Sequence, residues 1–148
     1  MSTPGTVLLV EDDRDAIDVA LRALVRAGLD VNVEVARDGL EALEMLGLEP
    51  DGPTGSLSPR VVFLDLKMPR VDGWEVLRRM RGHPRTAAVP VVVLSASDRV
   101  EDIQRSYEFG ANSFLLKRFD PRGPGTYVAD AVRYWVELNR SPQGRKSP

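Results

Sequence analysis

Three acids stand together at Glu11-Asp12-Asp13, directly after the apolar run Val7 to Val10. Asp65 closes a second run, Val61 to Leu64, Ser95 closes a third, Val91 to Leu94, and Lys117 closes a fourth, Phe114 to Leu116. Carboxylates gathered in one crevice repel each other, by about 4 kcal/mol for two unit charges about 4 Å apart at an effective dielectric near 20. Such a group is tolerable when its members share protons or bind a cation. Oxygen donors without His or Cys favour Mg2+ or Mn2+ over zinc or copper. Plainer roles compete with this one. The acid triplet could cap a helix N-terminus, Asp65 could be a turn residue, Ser95 a helix cap and Lys117 a solvated strand end. Capping accounts for Asp12 or Asp13 but leaves Asp65 unexplained.

These side chains meet only if the elements bring them together. Short Val-rich runs suit strands buried on both faces of a parallel sheet. Val31-Asn32-Val33-Glu34-Val35 alternates apolar and polar residues, which places it at a sheet edge. Helical spacing links Ile17, Ala20, Leu21 and Leu24 up to a stop at Gly28, then Leu40, Leu43 and Leu46. It returns at Val76, Leu77 and Met80, halted by Gly82-His83-Pro84, and at Val100, Ile103 and Tyr107, with Asp98 and Glu101 as a capping pair and Gly110 as terminator. A fifth helix runs from about Thr126 to Asn139. Strand and helix alternate five times, so the fold class is α/β, a doubly wound five-stranded parallel sheet in the order 2-1-3-4-5. Ligands of such sheets bind at the carboxyl ends of the strands, where the acids, Ser95 and Lys117 fall. The Pro- and Gly-rich stretch Glu49 to Arg60 reads as a surface loop.

The 148 residues carry 20 Lys and Arg against 22 Asp and Glu and no Cys. One domain, residues 1–139, fits this length, with a polar tail over 140–148. The lack of Cys excludes disulfide scaffolds, zinc–thiolate sites, iron–sulfur clusters and thiol nucleophiles. A net charge of −2 argues against direct nucleic-acid binding. No apolar run approaches the roughly 20 residues that span a bilayer, and the N-terminus has no signal-peptide pattern. The expected location is cytoplasmic.

Leu8-Leu9-Val10-Glu11-Asp12-Asp13, Phe63-Leu64-Asp65-Leu66-Lys67-Met68-Pro69-Arg70-Val71-Asp72-Gly73, Val93-Leu94-Ser95-Ala96 and Leu115-Leu116-Lys117 resemble a response-regulator receiver domain of two-component signalling. The resemblance spans roughly residues 5 to 139 and implies a flavodoxin-like fold. It implies that Asp65 accepts a phosphoryl group from a phosphohistidine on a sensor kinase. It also implies that Asp12 ligates Mg2+ directly, Glu11 holds a coordinated water and the Lys67 backbone carbonyl completes the protein ligands. Lys117 would neutralise phosphoryl oxygens and the Ser95 hydroxyl would donate to them, with the aromatic Phe114 following Ser95 as a switch. Asp13 lies one place beyond the acid pair and is expected to cap. Ser106 to Asn112 and Trp135 are similar to single-domain regulators paired with bacterial phytochrome kinases, which makes a phytochrome-type photoreceptor a candidate partner. No second periodic region follows residue 139, so the signal would be read from the domain's own surface or relayed by passing the phosphoryl group onward.

Two positions depart from the family pattern. Arg118 stands where a proline with a cis peptide usually follows the lysine, and a cis bond without proline costs roughly 2.5–4 kcal/mol. Lys67 and Ser97, two places past Asp65 and Ser95, are not obvious water-orienting groups, which implies a long-lived phosphoaspartate. Along the fifth helix the apolar residues cover an arc of about 220°, against the roughly 100° a surface helix needs. A homodimer or kinase-docking face along helix 4, strand 5 and helix 5 is therefore expected, with Tyr127, Tyr134 and Trp135 at it. His83 reads as a solvated turn residue, and Arg78, Arg79 and Arg81 as a solvated helix face. Rival classes lack their own signatures. A flavodoxin-type nucleotide binder needs a phosphate-cradling loop after strand 1, and a dehalogenase-type phosphatase needs a second acid in Asp65-Leu66-Lys67. A receiver fold that signals without phosphorylation would not need the acids this chain keeps.

Overall fold

The computed structural model describes residues 5–49 and 57–142. Most of the expected Glu49–Arg60 loop, the first four residues and most of the expected tail lie outside this set. Five strands, β1 (Gly5–Val10), β2 (Val31–Ala36), β3 (Val61–Asp65), β4 (Val91–Ser95) and β5 (Ser113–Leu116), alternate with helices α1 (Arg14–Arg26), α2 (Gly39–Met45), α3 (Gly73–Arg81), α4 (Val100–Glu108) and α5 (Thr126–Arg133). A π-helical segment, Tyr134–Leu138, prolongs α5. All pairings are parallel and the order is β2-β1-β3-β4-β5, as the sequence predicts.

Every residue of β3 and β4 is buried, whereas the edge strand β2 is only half covered. The Phe114–Leu116 run departs from its expected burial, because β5 is the other edge and its residues are half-buried to exposed. Alternate strand residues feed two cores. Val7, Leu9, Val61, Phe63, Val92 and Leu94 pack under α1 and α5, while Leu8, Val10, Val62, Leu64, Val91 and Val93 pack under α2 and α3. Full burial of each such side chain is worth roughly 1.5–3 kcal/mol. Because a one-residue slip would exchange the two faces, this pattern sets the register.

That register assembles the site. Val10 lies beside Leu64, Asp65 beside Leu94, and Ser95 beside Leu116. Glu11, Asp65, Ser95 and Lys117 therefore emerge at the same edge. The ladder continues one step beyond the strands, with the Glu11 N–H donating to the Ala36 carbonyl at 2.9 Å and the Lys117 N–H to the Ser95 carbonyl at 2.8 Å.

Three local expectations are corrected. Asp98 and Glu101 do not cap α4: its N-cap is Arg99, without a side-chain cap bond. The Ser97 hydroxyl occupies that place, accepting from the Arg99 N–H at 3.3 Å and donating to Asp102 at 2.6 Å. Arg79 and Arg81 are not solvated like Arg78. Arg79 donates to the Leu48 carbonyl and Arg81 to the carbonyls of Gly110, Thr86, Ala87 and Val89 and to Asn112 Oδ1. Side-chain donors saturate loop carbonyls that no ladder reaches. Finally, the helical run after Thr126 widens into the π-helical segment before reaching Asn139.

Candidate functional site

Glu11 and Asp65 are buried at the carboxyl edge of the sheet, and Asp12 is exposed beside them. One carboxylate oxygen from each lies within 4.8 Å of the others, the single such cluster among the described residues. Three hard oxygen donors, two of them held by strand ends, fit a divalent cation of the Mg2+ or Mn2+ kind. Asp13, as expected, does something else: it is the N-cap of α1, accepting from the Asp15 N–H at 3.0 Å.

The ammonium is in place as well. Lys117 Nζ stands 2.6 Å from Glu11 Oε1 and 3.7 Å from Asp65 Oδ2. Burial would lower the Lys117 pKa, but the Glu11, Asp65 and Asp13 carboxylates outweigh it and raise it. For Asp65 the balance is reversed. Burial first, then the Glu11 carboxylate, push its pKa up to about 7, against the opposing pull of Lys117. Carboxylates so crowded share a deficit of positive charge that a cation would supply.

Ser95 is buried next to Asp65's strand, and its Oγ accepts from the Ser97 N–H at 3.0 Å. Phe114 is half-buried against the α2–α3 core. The Lys117–Arg118 peptide is trans, as are all described peptide bonds. The loop after it is tied down by charge instead. Asp120 is 3 % exposed and accepts from Arg122, whose guanidinium also reaches Asp130 at 2.8 Å. The Tyr127 hydroxyl accepts from the Arg118 N–H at 3.3 Å, and the Arg118 guanidinium lies over the Tyr127 ring at 5.2 Å. Nothing in the sequence spacing points to this network, since no motif or periodicity joins its members.

Of the three aromatics assigned to a partner face, Tyr127 and Trp135 pack against the α1–α5 core, and Tyr134 stays 48 % exposed, its ring edge-on to Trp135 at 4.9 Å. His83 sits in the turn after α3, where its Nδ1 accepts from the Arg85 N–H.

The response regulator receiver domain pattern matches residues 7–123. The chain is 40 % identical over 139 residues to the probable methanogenesis regulatory protein FilR2 of Methanothrix harundinacea, covering 94 % of this chain and 88 % of that protein. It is 31 % identical to the response regulator Rcp1 of Synechocystis, with 94 % of each chain covered. The Mn2+-bound form of Rcp1 superposes with a TM-score of 0.82 over 94 % of this chain and 99 % of that one. The phosphorylated cyanobacterial phytochrome response regulator RcpA, 30 % identical, reaches 0.84 over 95 % and 99 %. An aspartate-rich sheet edge, an adjacent lysine and this likeness lead to one conclusion: the chain belongs to the response regulator receiver domain family and is a phosphoacceptor response regulator.

Proposed function

We propose that Asp65 is the phosphoacceptor, with Glu11, Asp12, Asp65 and the Lys67 backbone carbonyl holding Mg2+ and with Lys117 and Ser95 acting on the phosphoryl group. The observation that carries this reading is the position of Asp65, buried with the Lys117 ammonium 3.7 Å from its Oδ2 and with Glu11 and Asp12 carboxylate oxygens within 4.8 Å. An Asp65 carboxylate oxygen attacks the phosphorus of a phosphohistidine, forming the acyl–phosphate bond as the phosphorus–nitrogen bond breaks and the electron pair returns to the imidazole. Phosphoryl transfer needs in-line positioning and charge neutralisation more than covalent help. Bound Mg2+ supplies neutralisation of the carboxylates and the phosphoryl oxygens. Lys117, poised beside both Glu11 and Asp65, supplies a second positive charge, and Ser95 turns its hydroxyl from Ser97 to a phosphoryl oxygen. Phe114, with no hydroxyl to pair, follows inward on burial alone. Hydrolysis of the acyl phosphate by water returns Asp65 to its resting state.

The donor is a sensor histidine kinase, of the phytochrome type on the strength of the likeness to the phytochrome response regulator RcpA. A homodimer forms along α4, β5 and α5, where Val100, Tyr107, Leu116, Tyr134 and Leu138 are exposed. No helix among the described residues is long and apolar enough to cross a membrane, which agrees with cytoplasmic residence. Incubation with Mg2+ and acetyl phosphate tests the central assignment. Wild type gains the mass of one phosphoryl group and Asp65→Asn gains none; equal gain in both proteins overturns it.

A further inference from the structure

Arg70 is the one described residue other than glycine with a left-handed backbone (φ 69°). It lies on the loop between β3 and α3. Across it the Val71 N–H donates to the Pro69 carbonyl at 2.9 Å, closing a γ-turn of the rarer, strained kind. Glycine would adopt this conformation without cost, so a side chain kept here has to be held by its surroundings. The Arg70 guanidinium is held: Nε and Nη2 both donate to Asp38 Oδ2, at 2.9 and 2.5 Å.

Asp38 is pinned before Arg70 arrives. Its other oxygen, Oδ1, accepts from the Glu41 N–H at 2.8 Å as the N-cap of α2, and its side chain is 15 % exposed against 55 % for Arg70. Ion pairs between two free surface side chains add little because both must be ordered; here one partner is already ordered. The contact is reinforced next door, where a Cβ on Gly39 would stand 2.0 Å from the Val71 carbonyl oxygen. The opposite end of the loop is closed by the Gly73 N–H on the Leu66 carbonyl at 2.9 Å. Between these two clamps lies Lys67, two residues past Asp65.

We propose that the Arg70–Asp38 pair is a latch that fixes the β3–α3 loop on the start of α2 and so sets the Lys67 carbonyl for the divalent cation. Arg70 and Asp38 are positioning residues for metal binding. The inference rests on the proposed metal site and adds two residues that touch neither metal nor phosphoryl group.

The test is Mn2+ affinity by electron paramagnetic resonance on wild type, Asp38→Asn, Arg70→Gly and the double variant. Asparagine keeps the cap of α2, and glycine accepts the left-handed turn. Both single variants should bind about tenfold more weakly, within the range for residues that orient metal ligands, and the double variant no more weakly than either. Long-range charge alone predicts opposite signs, weaker for Asp38→Asn and tighter for Arg70→Gly. Unchanged or tighter binding by Arg70→Gly overturns the latch. So does a loss of affinity that merely follows the unfolded fraction in metal-free melts. If Asp65→Asn binds Mn2+ as wild type does, the metal-site reading fails and the latch with it.

Discussion

Asp65 is held where its charge is least welcome and most useful. Its pKa of about 7 lies above the ordinary 3.8, because burial and the Glu11 carboxylate favour the protonated form. The folded protein therefore binds more protons than the unfolded chain between those values, and stability falls as pH rises from about 3.8 through about 7. Asp65→Asn should raise the melting temperature of metal-free protein at alkaline pH by several degrees, with the gain fading in mild acid. Mg2+ added to wild type should narrow the gap, and equal melting of the two proteins at alkaline pH would refute the charge-crowding account. Two further residues bear on the lifetime of the phosphoaspartate. Ser97 spends its hydroxyl on Asp102, and Lys67 offers no acceptor to orient an attacking water. Phosphate release should take minutes rather than seconds, and complete loss within a few seconds would contradict this. Asp65, Lys117 and Glu11 were legible in the sequence as polar residues at the ends of apolar runs. Arg70 and Asp38 were not, because the pair joins positions 32 apart that no periodicity connects.

At the level of elements, loops are held by charged side chains. The network of Asp120, Arg122 and Asp130 organises the segment between Lys117 and α5. Hydrogen bonds and charge from Arg122 hold the Asp120 pKa down to about 2. A depressed carboxylate stabilises the fold above its unfolded value near 3.8, and that contribution is lost as pH falls toward about 2. Asp120→Asn should therefore melt below wild type at neutral pH, the two curves converging in strong acid; a gap independent of pH would show that charge is not the cause. Arg81 plays the same part at the opposite end of the sheet. Arg81→Met removes the guanidinium donor from the half-buried Gly110 and Val89 carbonyls, at about 0.5–1.5 kcal/mol for each hydrogen bond lost. Thermal melts should record roughly 2–4 °C per kcal/mol for a chain of this size, and an unchanged midpoint would mean that water replaces the guanidinium. The capping pair expected for α4 failed for a related reason. Asp98 and Glu101 have the right spacing, but the turn made by Ser95 and Ser97 delivers the chain one residue later, at Arg99.

For the whole molecule, the open question is what covers the α4–β5–α5 face. Of the α4 residues only Ser106 is buried, leaving Val100 61 % and Tyr107 50 % exposed, and Tyr134 and Leu138 are exposed after α5. Exposed apolar groups that form one patch mark an interaction surface. Light scattering at tens of micromolar should give a dimer for wild type and a monomer for Tyr134→Glu combined with Leu138→Glu. A wild-type monomer both with and without phosphorylation would exclude the homodimer. Tyr127 and Trp135 are half-buried against the core that α1 and α5 share, so the outward apolar arc is narrower than helix periodicity alone predicts.

By itself the sequence determined the strand order, the two-faced core and the residues at the sheet's carboxyl edge. Apolar runs of strand length and helical spacing are local properties, and a parallel right-handed sheet admits few arrangements of them. The tertiary structure alone decided which charges pair. It joined Lys117 to Glu11, Arg70 to Asp38, and Arg81 to five acceptors beyond its own helix. The physical reason is reach. Burial is dictated by what a residue is, whereas a long cation can serve any acceptor within several ångströms, and only the folded chain establishes which one that is.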